Sequence, residues 1–311
     1  MGFEIEIGSW VEAIVEFLID NFTPAFDAIA WAIGLLANGL EDGLRWIPWW
    51  AFIAGVAVLA LWRLGWRFAL FTIVALLLVV GMGLWRETVS TLALVLSATA
   101  VALAIGIPIG IAMARNDTVE KVIRPVLDLM QTMPPFVYLI PAVMFFGLGA
   151  VPGTIATVVF AMPPAVRLTN LGIRHVSKEN VEAGIAFGCT DRQLLFKVQL
   201  PLAMPSIMAG VNQTIMLALS MVVIASMIGA GGLGNTVLTG IQRLNVGLGF
   251  EGGLGVVILA IILDRITQTV GTRRTDGGLA AAFRSLFRRG HATAGSAESS
   301  TVHPAPAEAR H

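Results

Sequence analysis

Seven stretches of this chain are apolar over roughly the number of residues that a helix needs to cross a lipid bilayer, about 20. Within lipid every backbone polar group must be satisfied internally, so segments of this composition are restricted to helices. Of the 311 residues, 56% are hydrophobic and 13% are charged, which is too little charge for a soluble domain of this size. We therefore predict an all-α membrane protein with about seven transmembrane helices, at 47–63, 66–85, 88–114, 134–150, 152–170, 203–230 and 252–271.

Prolines fall inside two of the predicted spans. The fourth contains Pro141 and the fifth contains Pro163 and Pro164. Proline is tolerated in a membrane helix when neighbouring groups satisfy the freed carbonyls. The region 134–170 therefore has two interpretations, either two ordinary spans or a pair of broken or re-entrant helices.

The first 45 residues are interpreted as an extracytoplasmic, interfacial segment. Trp10, Ile14 and Phe17 recur at helical spacing with acidic residues between them, which predicts an amphipathic helix lying on the outer surface of the membrane. A second apolar segment, 24–40, is short and interrupted by Gly34. It could form an eighth span or a shallow re-entrant hairpin.

A polar insert lies between the fifth and sixth predicted spans, over residues 174–201. Ser177 can cap a short helix that ends near Gly188, a residue that tolerates the left-handed conformation after a helix. Thr190 and Gln193 have the spacing of a capping box for a second helix. Pro201 is expected to close the unit, because proline biases the residue before it away from helix. A membrane protein with such a two-helix unit in a loop presents it to a soluble partner.

The distribution of positive charge predicts the orientation in the membrane. If the polar insert is cytoplasmic, the loops on that side carry most of the lysines and arginines, whereas the N-terminal stretch on the outer side is acidic. We therefore predict that the N-terminus is outside and that residues 272–311 form a cytoplasmic basic and disordered tail. The predicted inner cations are Arg63, Arg67, Arg115, Lys121, Arg124, Arg174, Lys178, Arg192, Lys197, Arg273, Arg274, Arg284, Arg288 and Arg289, and the outer ones are Arg45, Arg86 and Arg243.

The chain carries none of the usual sequence motifs for catalysis or cofactor binding. The single cysteine, Cys189, cannot form an internal disulfide, and no pair among the four histidines has metal-ligand spacing. The chain has no Gly-x-x-x-x-Gly-Lys-Ser/Thr loop for ATP phosphates. The glycine-rich run 229–234 is interpreted as a turn that allows close helix packing. We therefore expect no catalytic residue, cofactor or metal, and any energy for uphill transport must come from a separate ATPase.

The polar insert resembles the coupling loop of ABC importer permeases. The family pattern is Glu-Ala-Ala, three residues, Gly, nine residues, Ile, any residue, Leu-Pro. This chain keeps the spacing but has glycine at the second alanine and valine at the isoleucine. The resemblance implies the type I ABC importer permease fold, and it implies an ATPase-coupling role for Glu182, Ala183, Gly184, Gly188, Leu200 and Pro201. Glu182 is the expected ionic or hydrogen-bonded contact, with a solvated surface acid as the alternative.

Four other segments, at 130–134, 163–170, 210–214 and 229–234, are similar to the glycine betaine/L-proline branch of these permeases. The resemblance covers about residues 45–270. It implies a multi-pass protein of the bacterial inner membrane, in which a second permease chain completes the pore as a homodimer. It also implies two cytoplasmic ATPase subunits, an extracytoplasmic binding protein and a small zwitterionic solute such as glycine betaine. Membrane lipid is an expected partner and nucleic acid is not.

Three alternatives to a glycine betaine importer differ in solute, in energy source or in being an enzyme. Choline, carnitine or amino acids are alternative solutes within neighbouring branches. An ion-coupled secondary transporter is less compatible, because Asp264 is the only deep acid and the polar insert would have no purpose. A membrane enzyme would need a cluster of nucleophilic or acid–base residues at one depth, which the sequence lacks.

The predicted translocation path follows one face of the sixth span. The expected residues recur at helical spacing along that face. Helix–helix packing, in which Asn212 bridges two helices, is an equally supported alternative. Tyr138 could present its ring to a quaternary ammonium group. It could equally be an interfacial aromatic residue. The path residues are Asn212, Met216, Ser220, Val223 and Met227, with Tyr138 and Phe136.

Overall fold

The computed structural model describes residues 7–271, and within that range the chain is helical with no strand, which confirms the all-α prediction. Twelve α-helices and one π-helical turn follow one another along residues 7–271. The predicted tail at 272–311 lies outside the described residues. The helices are α1 (Ile7–Trp46), α2 (Trp49–Leu64), α3 (Trp66–Gly81), α4 (Trp85–Arg115), α5 (Asp117–Thr132), α6 (Pro135–Phe146), α7 (Ala150–Arg174), α8 (Lys178–Ala186), α9 (Asp191–Leu194), the π segment (Leu195–Gln199), α10 (Leu200–Ser226), α11 (Gly232–Gln242) and α12 (Val246–Gly271).

Among the described residues, four helices are individually long and apolar enough to cross a membrane: α4, α7, α12 and the continuous helix formed by α9, the π segment and α10. Two further pairs pass the same test together, but each is sharply bent: α1 and α2 by 99°, and α5 and α6 by 100°. The predicted span at 134–150 is therefore the short second arm of a broken pair, but the break lies before Pro135, between α5 and α6, rather than within 134–170. The span at 152–170 is different, because α7 runs unbroken through Pro163 and Pro164.

Helix α1 is one continuous helix of 40 residues that contains Pro24, rather than an amphipathic segment followed by a hairpin. Its second half packs against α4, α6 and α7. Gly34 is buried there, and the ring of Phe26 stacks on that of Phe145 at 4.5 Å between centroids. Gly34 faces Val151 of α7, where a β-carbon would lie at an ordinary contact distance of 3.5 Å, and it does not interrupt the helix.

The centre of the bundle is formed by α4, α7 and α10, whose contacts use small residues. A β-carbon at Gly110 of α4 would lie 2.6 Å from the carbonyl oxygen of Val166 on α7. A β-carbon at Gly172 of α7 would lie 2.7 Å from Cβ of Ser206 on α10. Membrane helices associate through such close backbone approaches, since lipid provides little hydrophobic driving force between helices.

The glycine-rich run after α10 forms the predicted packing turn. Gly229, Gly231 and Gly232 have positive φ values of 85°, 76° and 71°, a conformation that glycine adopts without steric cost. The turn is held to α4, because the backbone amide of Leu233 donates to Oγ1 of Thr91 at 2.8 Å. The helix that follows, α11, was not expected from the sequence.

A candidate coupling helix and its anchor

The polar insert folds as two helices joined by a tight turn, as predicted. Gly188 has a φ of 76°. Thr190 and Gln193 form a complete capping box, in which each side chain accepts from the other residue's backbone amide. Ser177 occupies the N-cap of α8, but its side chain makes no capping hydrogen bond. The left-handed glycine and the capping box therefore define the turn between α8 and α9.

Pro201 does not end the unit, contrary to the sequence-based expectation. The α9 helix passes through the π segment directly into α10, and the amide of Leu200 donates to the carbonyl of Leu195. In a membrane helix, a local π adjustment satisfies the backbone groups that a proline frees. Pro201 directly follows the π segment. The second helix of the insert is consequently continuous with a membrane-spanning helix.

Gly184 is the contact point between α8 and that continuous helix. It is the buried residue of α8, and a β-carbon at this position would lie 2.7 Å from Cδ1 of Leu194 and 3.6 Å from Cγ2 of Val198. The two departures from the family pattern, Gly184 and Val198, thus face each other in the structure. The glycine lets α8 pack closely on α9 and the π segment.

The remaining predicted coupling residues fall into two groups. Glu182 and Ala183 are exposed on α8, and Pro201 is exposed at the start of α10. Leu200 is partly buried and packs against a cluster that includes Ile173 and Leu195. The apolar side chains of Ile185 and Phe187 are also exposed, Phe187 by 90%, although the sequence analysis did not single them out. Together these residues give α8 an exposed surface that combines one carboxylate with apolar side chains.

A cavity of about 380 Å³ lies between α8 and the C-terminal ends of α4 and α7. Its walls combine basic and acidic side chains with apolar ones. Glu182 borders it, so this carboxylate lies where α8 and the helix bundle meet. The lining residues are Ala114, Arg115, Ile173, Arg174, Val176, Lys178, Val181, Glu182, Asp191, Leu194 and Gln199.

Arg174, the last residue of α7, is bonded to two other helices. Its guanidinium donates to the backbone carbonyl of Met113 at 2.8 Å and to Oδ1 of Asp117 at 2.6 Å, and it lies 3.0 Å from Oε2 of Glu120. The hydrogen bond and charge of Arg174 hold the pKa of Asp117, in the polar segment after α4, below its ordinary value. Sequence reasoning counted Arg174 only as an inner cation, since nothing local links it to partners more than 50 positions away.

The predicted path residues separate into two groups on α10. Asn212 is bonded to α12, because its amide donates to Oδ1 of Asp264 at 2.6 Å and its carbonyl oxygen accepts from Thr267 at 2.9 Å. Met216 and Ser220 are instead exposed along one face. Met227 continues this face and is 54% exposed. Val223 is partly buried.

Tyr138 and Phe136 lie on α6, next to the bend. The hydroxyl of Tyr138 donates to the backbone carbonyl of Met130 on α5, so this side chain braces the two arms of the bent pair. Phe136 is exposed. The structure does not bring either aromatic ring together with the exposed stripe of α10 into one enclosed site within the described residues.

Comparison with known proteins identifies the family. Residues 106–275, which include α8 and the π segment, match the family described as the binding-protein-dependent transport system inner membrane component. The chain belongs to this family of ABC importer permeases. As a permease it is a transport component rather than an enzyme, and ATP is hydrolysed by a separate subunit.

Two curated relatives match nearly the whole permease. The chain is 50% identical over 272 residues to the glycine betaine/proline betaine transport system permease protein ProW of Escherichia coli (strain K12), covering 86% of this chain and 75% of the relative. It is 46% identical over 274 residues to the glycine betaine transport system permease protein OpuAB of Bacillus subtilis (strain 168), covering 88% of this chain and 97% of the relative.

A solved structure shows the same fold. The permease matches a chain of the MetNI methionine ABC transporter in an inward-facing conformation with a TM-score of 0.52 and 23% sequence identity, over 59% of this chain and 94% of that chain. The predicted ABC importer permease fold and the multi-pass inner-membrane location are thereby confirmed. The outward position of the N-terminus stays a prediction.

Proposed function

We propose that this permease imports glycine betaine, or a closely related zwitterion such as proline betaine, as part of an ATP-driven transporter. The observation that carries the proposal is the identity of 46–50% to two permeases named for glycine betaine transport. Such systems receive their solute from an extracytoplasmic binding protein. The solute can therefore be identified through that partner, whose pocket should hold the quaternary ammonium in an aromatic cage.

The proposed docking element for the ATPase is α8. Its exposed surface presents Glu182 with Ala183, Ile185 and Phe187, and Glu179 one turn earlier, so it combines carboxylates with apolar side chains. Interfaces of this kind commonly depend on a few aromatic and charged anchors. Closure of two ATPase subunits would displace α8, and because α9 is continuous with α10, the displacement would reach the membrane bundle.

The proposed solute path follows the exposed stripe of α10 that contains Met216, Ser220 and Met227. The opposite face of this helix is buried in the core, with Ala218 and Val222 fully enclosed. A weakly polar, flexible surface suits a path that must release its cargo. We propose that two identical copies of the permease face each other across these stripes, with Asn212 stabilising the α10–α12 contact behind them.

The proposal is tested by reconstituting the permease with its ATPase and binding protein in liposomes and measuring uptake of labelled glycine betaine. Unlabelled proline betaine, choline, carnitine and proline serve as competitors. We expect ATP-dependent uptake that the two betaines inhibit most strongly. Uptake that needs an ion gradient instead of ATP would refute the importer, and strongest competition by choline or carnitine would refute the proposed solute.

The role of α8 is tested in the same liposomes with Glu182→Lys. We expect the variant to enter the membrane in normal amount but to lose solute-stimulated ATP turnover, because the contact would change from attraction to repulsion. Glu179→Lys is the matched control, since it makes the same charge change in the first turn of α8 away from the cavity. Normal coupling in Glu182→Lys would remove this residue from the interface.

A further inference from the structure

Arg174 occupies the junction between the membrane helix α7 and the polar insert. Three of its contacts leave α7: one reaches the carbonyl of Met113 in the last turn of α4, and two reach the carboxylates of Asp117 and Glu120 on α5. Arginine suits this position, because its planar guanidinium carries five donors in a fixed geometry and keeps its charge. One side chain therefore ties together the ends of three helices.

The contacts form a closed ring with Asn170, one turn earlier on α7. Nε of Arg174 donates to Oδ1 of Asn170 at 3.0 Å, and Nδ2 of Asn170 donates to Oε1 of Glu120 at 3.1 Å. Glu120 completes the ring through its other oxygen, 3.0 Å from Arg174. Asn170 is only 7% exposed, and the Glu120 side chain is 24% exposed. A ring in which each member holds two others restricts all three side chains to one arrangement, unlike an isolated surface ion pair.

Helix α5 connects this ring to the bent α5–α6 pair. The hydroxyl of Tyr138 on α6 bonds to the carbonyl of Met130, so the two arms are joined across the bend. A displacement of the inner end of α5 would therefore be passed to α6. A second ion pair joins the same two helices farther along, between Arg167 and Asp128, whose side chains are 40% and 57% exposed. The Arg174–Asp117 pair is comparably exposed, at 33% and 76%, so the ring differs from the second pair through the less exposed Glu120 and Asn170.

Because of the cavity beneath α8, movement of this helix can reach α4 and α7 directly only through its junction with α7 at Arg174. Helix α8 packs on α9 and the π segment, whereas the cavity separates it from the C-terminal ends of α4 and α7. Movement of α8 reaches α10 through the continuous second helix. At its N-terminal end, α8 follows α7 after three linking residues that begin next to Arg174. A force on this end of α8 therefore acts on the ring.

We propose that Arg174 is a positioning residue for coupling, which transmits the displacement of α8 to α4 and α5. The inference rests on the proposed function. With the ring intact, α8 cannot move without moving the inner ends of three helices. With the ring broken, the space beneath α8 allows the α7–α8 junction to deform. The ATPase then hydrolyses ATP, but α4 and α5 are not displaced together with α8.

The experiment measures solute transported per ATP hydrolysed by the assembled transporter in liposomes, for wild type and Arg174→Gln. We expect this ratio to fall at least fivefold, the lower end of the range of about 5- to 150-fold typical of coupling between sites. ATP turnover should be retained, because Glu182 and the exposed face of α8 are unchanged. Arg174→Lys, which keeps the charge but not the forked geometry, should give an intermediate ratio.

Arg167→Gln is the matched control, because it removes an arginine–aspartate pair between the same two helices without touching the ring. Its ratio should stay within about twofold of wild type, since exposed pairs contribute little. Glu120→Gln should lower the ratio as Arg174→Gln does, and the double variant should be no worse than either alone. If the Arg174→Gln permease is not inserted into the membrane, Glu120→Gln takes its place as the test of the ring.

Two results would overturn the role of Arg174: a normal transport ratio in both Arg174→Gln and Glu120→Gln, or an equal loss in Arg167→Gln, which would indicate general loosening of the α5–α7 contact. The proposed function fails in a different way. In that case the wild-type permease itself would show no ATP-dependent uptake, whatever the variants do.

Discussion

Gly110→Ala is the substitution for which the structure gives the clearest energetic expectation. Gly106 and Gly110 lie one turn apart on α4 and face α7, in the Gly-x-x-x-Gly arrangement that lets membrane helices approach closely. A β-carbon at position 110 would lie 2.6 Å from the carbonyl oxygen of Val166 and 2.7 Å from Cβ of Thr169. The first obstacle is backbone, so a change of side-chain rotamer cannot relieve it.

The magnitude follows from that contact. Carbon–oxygen contacts normally lie at about 3.3 Å or beyond, so α7 would have to retreat by roughly 0.7 Å. Overpacking of this kind costs about 1–3 kcal/mol, and a backbone obstacle places Gly110→Ala at the upper end. Alanine regains about 1 kcal/mol of helix propensity. The net expectation is a loss of about 2 kcal/mol in the free energy of unfolding, which lowers the folded-to-unfolded ratio by roughly 30-fold.

Gly55→Ala is the matched control, because this glycine is exposed inside α2 and a β-carbon there meets nothing within 4 Å. The same chemical change should stabilise the protein by up to about 1 kcal/mol. The assay is equilibrium unfolding in mixed micelles by titration with a denaturing detergent, followed by helical circular dichroism. Equal shifts in the two variants, or a Gly110→Ala protein as stable as wild type, would refute the packing argument.

Two further predictions concern the coupling insert. Gly184→Ala should change the free energy of unfolding by less than about 1 kcal/mol and preserve coupling, because the gain in helix propensity offsets the shift of a flexible Leu194 methyl group; a large loss of solute-stimulated ATP turnover would contradict this. Thr190→Ala should weaken the cap of α9 by about 1 kcal/mol, whereas Thr190→Ser should not. Hydrogen exchange at the Gln193 amide, which donates to Oγ1 of Thr190, measures the difference, and equal protection in both variants would refute the role of the cap.

Several features of the coupling insert could be predicted from short stretches of sequence. The positive φ of Gly188 and the capping box of Thr190 and Gln193 depend on residues within one turn of each other, so their conformations are encoded locally. The expectation for Pro201 failed because a π-helical turn before it accommodates the ring without ending the helix. A local rule about proline cannot anticipate that compensation.

Other features depend on contacts that no local pattern contains. Gly34 looked like an interruption of an apolar segment, but it is the point where a continuous α1 meets Val151, more than one hundred residues later. The bend between α5 and α6 is different, because Pro134 and Pro135 lie at it and mark the break in the helix locally, while the bond between Tyr138 and Met130 braces it. The sequence left open whether Asn212 lines a path or bridges two helices, and the structure bonds it to α12.

By itself the sequence determined that this chain is a helical membrane protein with a polar two-helix insert between two of its spans, because hydropathy, helix periodicity and capping all act over distances of a few residues. Only the tertiary structure decided that Gly184 is a packing contact and that Arg174 joins α7 to α4 and α5. Arg174 and Asp117 are 57 positions apart. Their pairing depends on how three helices are placed, and that placement results from the combined packing of the bundle rather than from any segment of it.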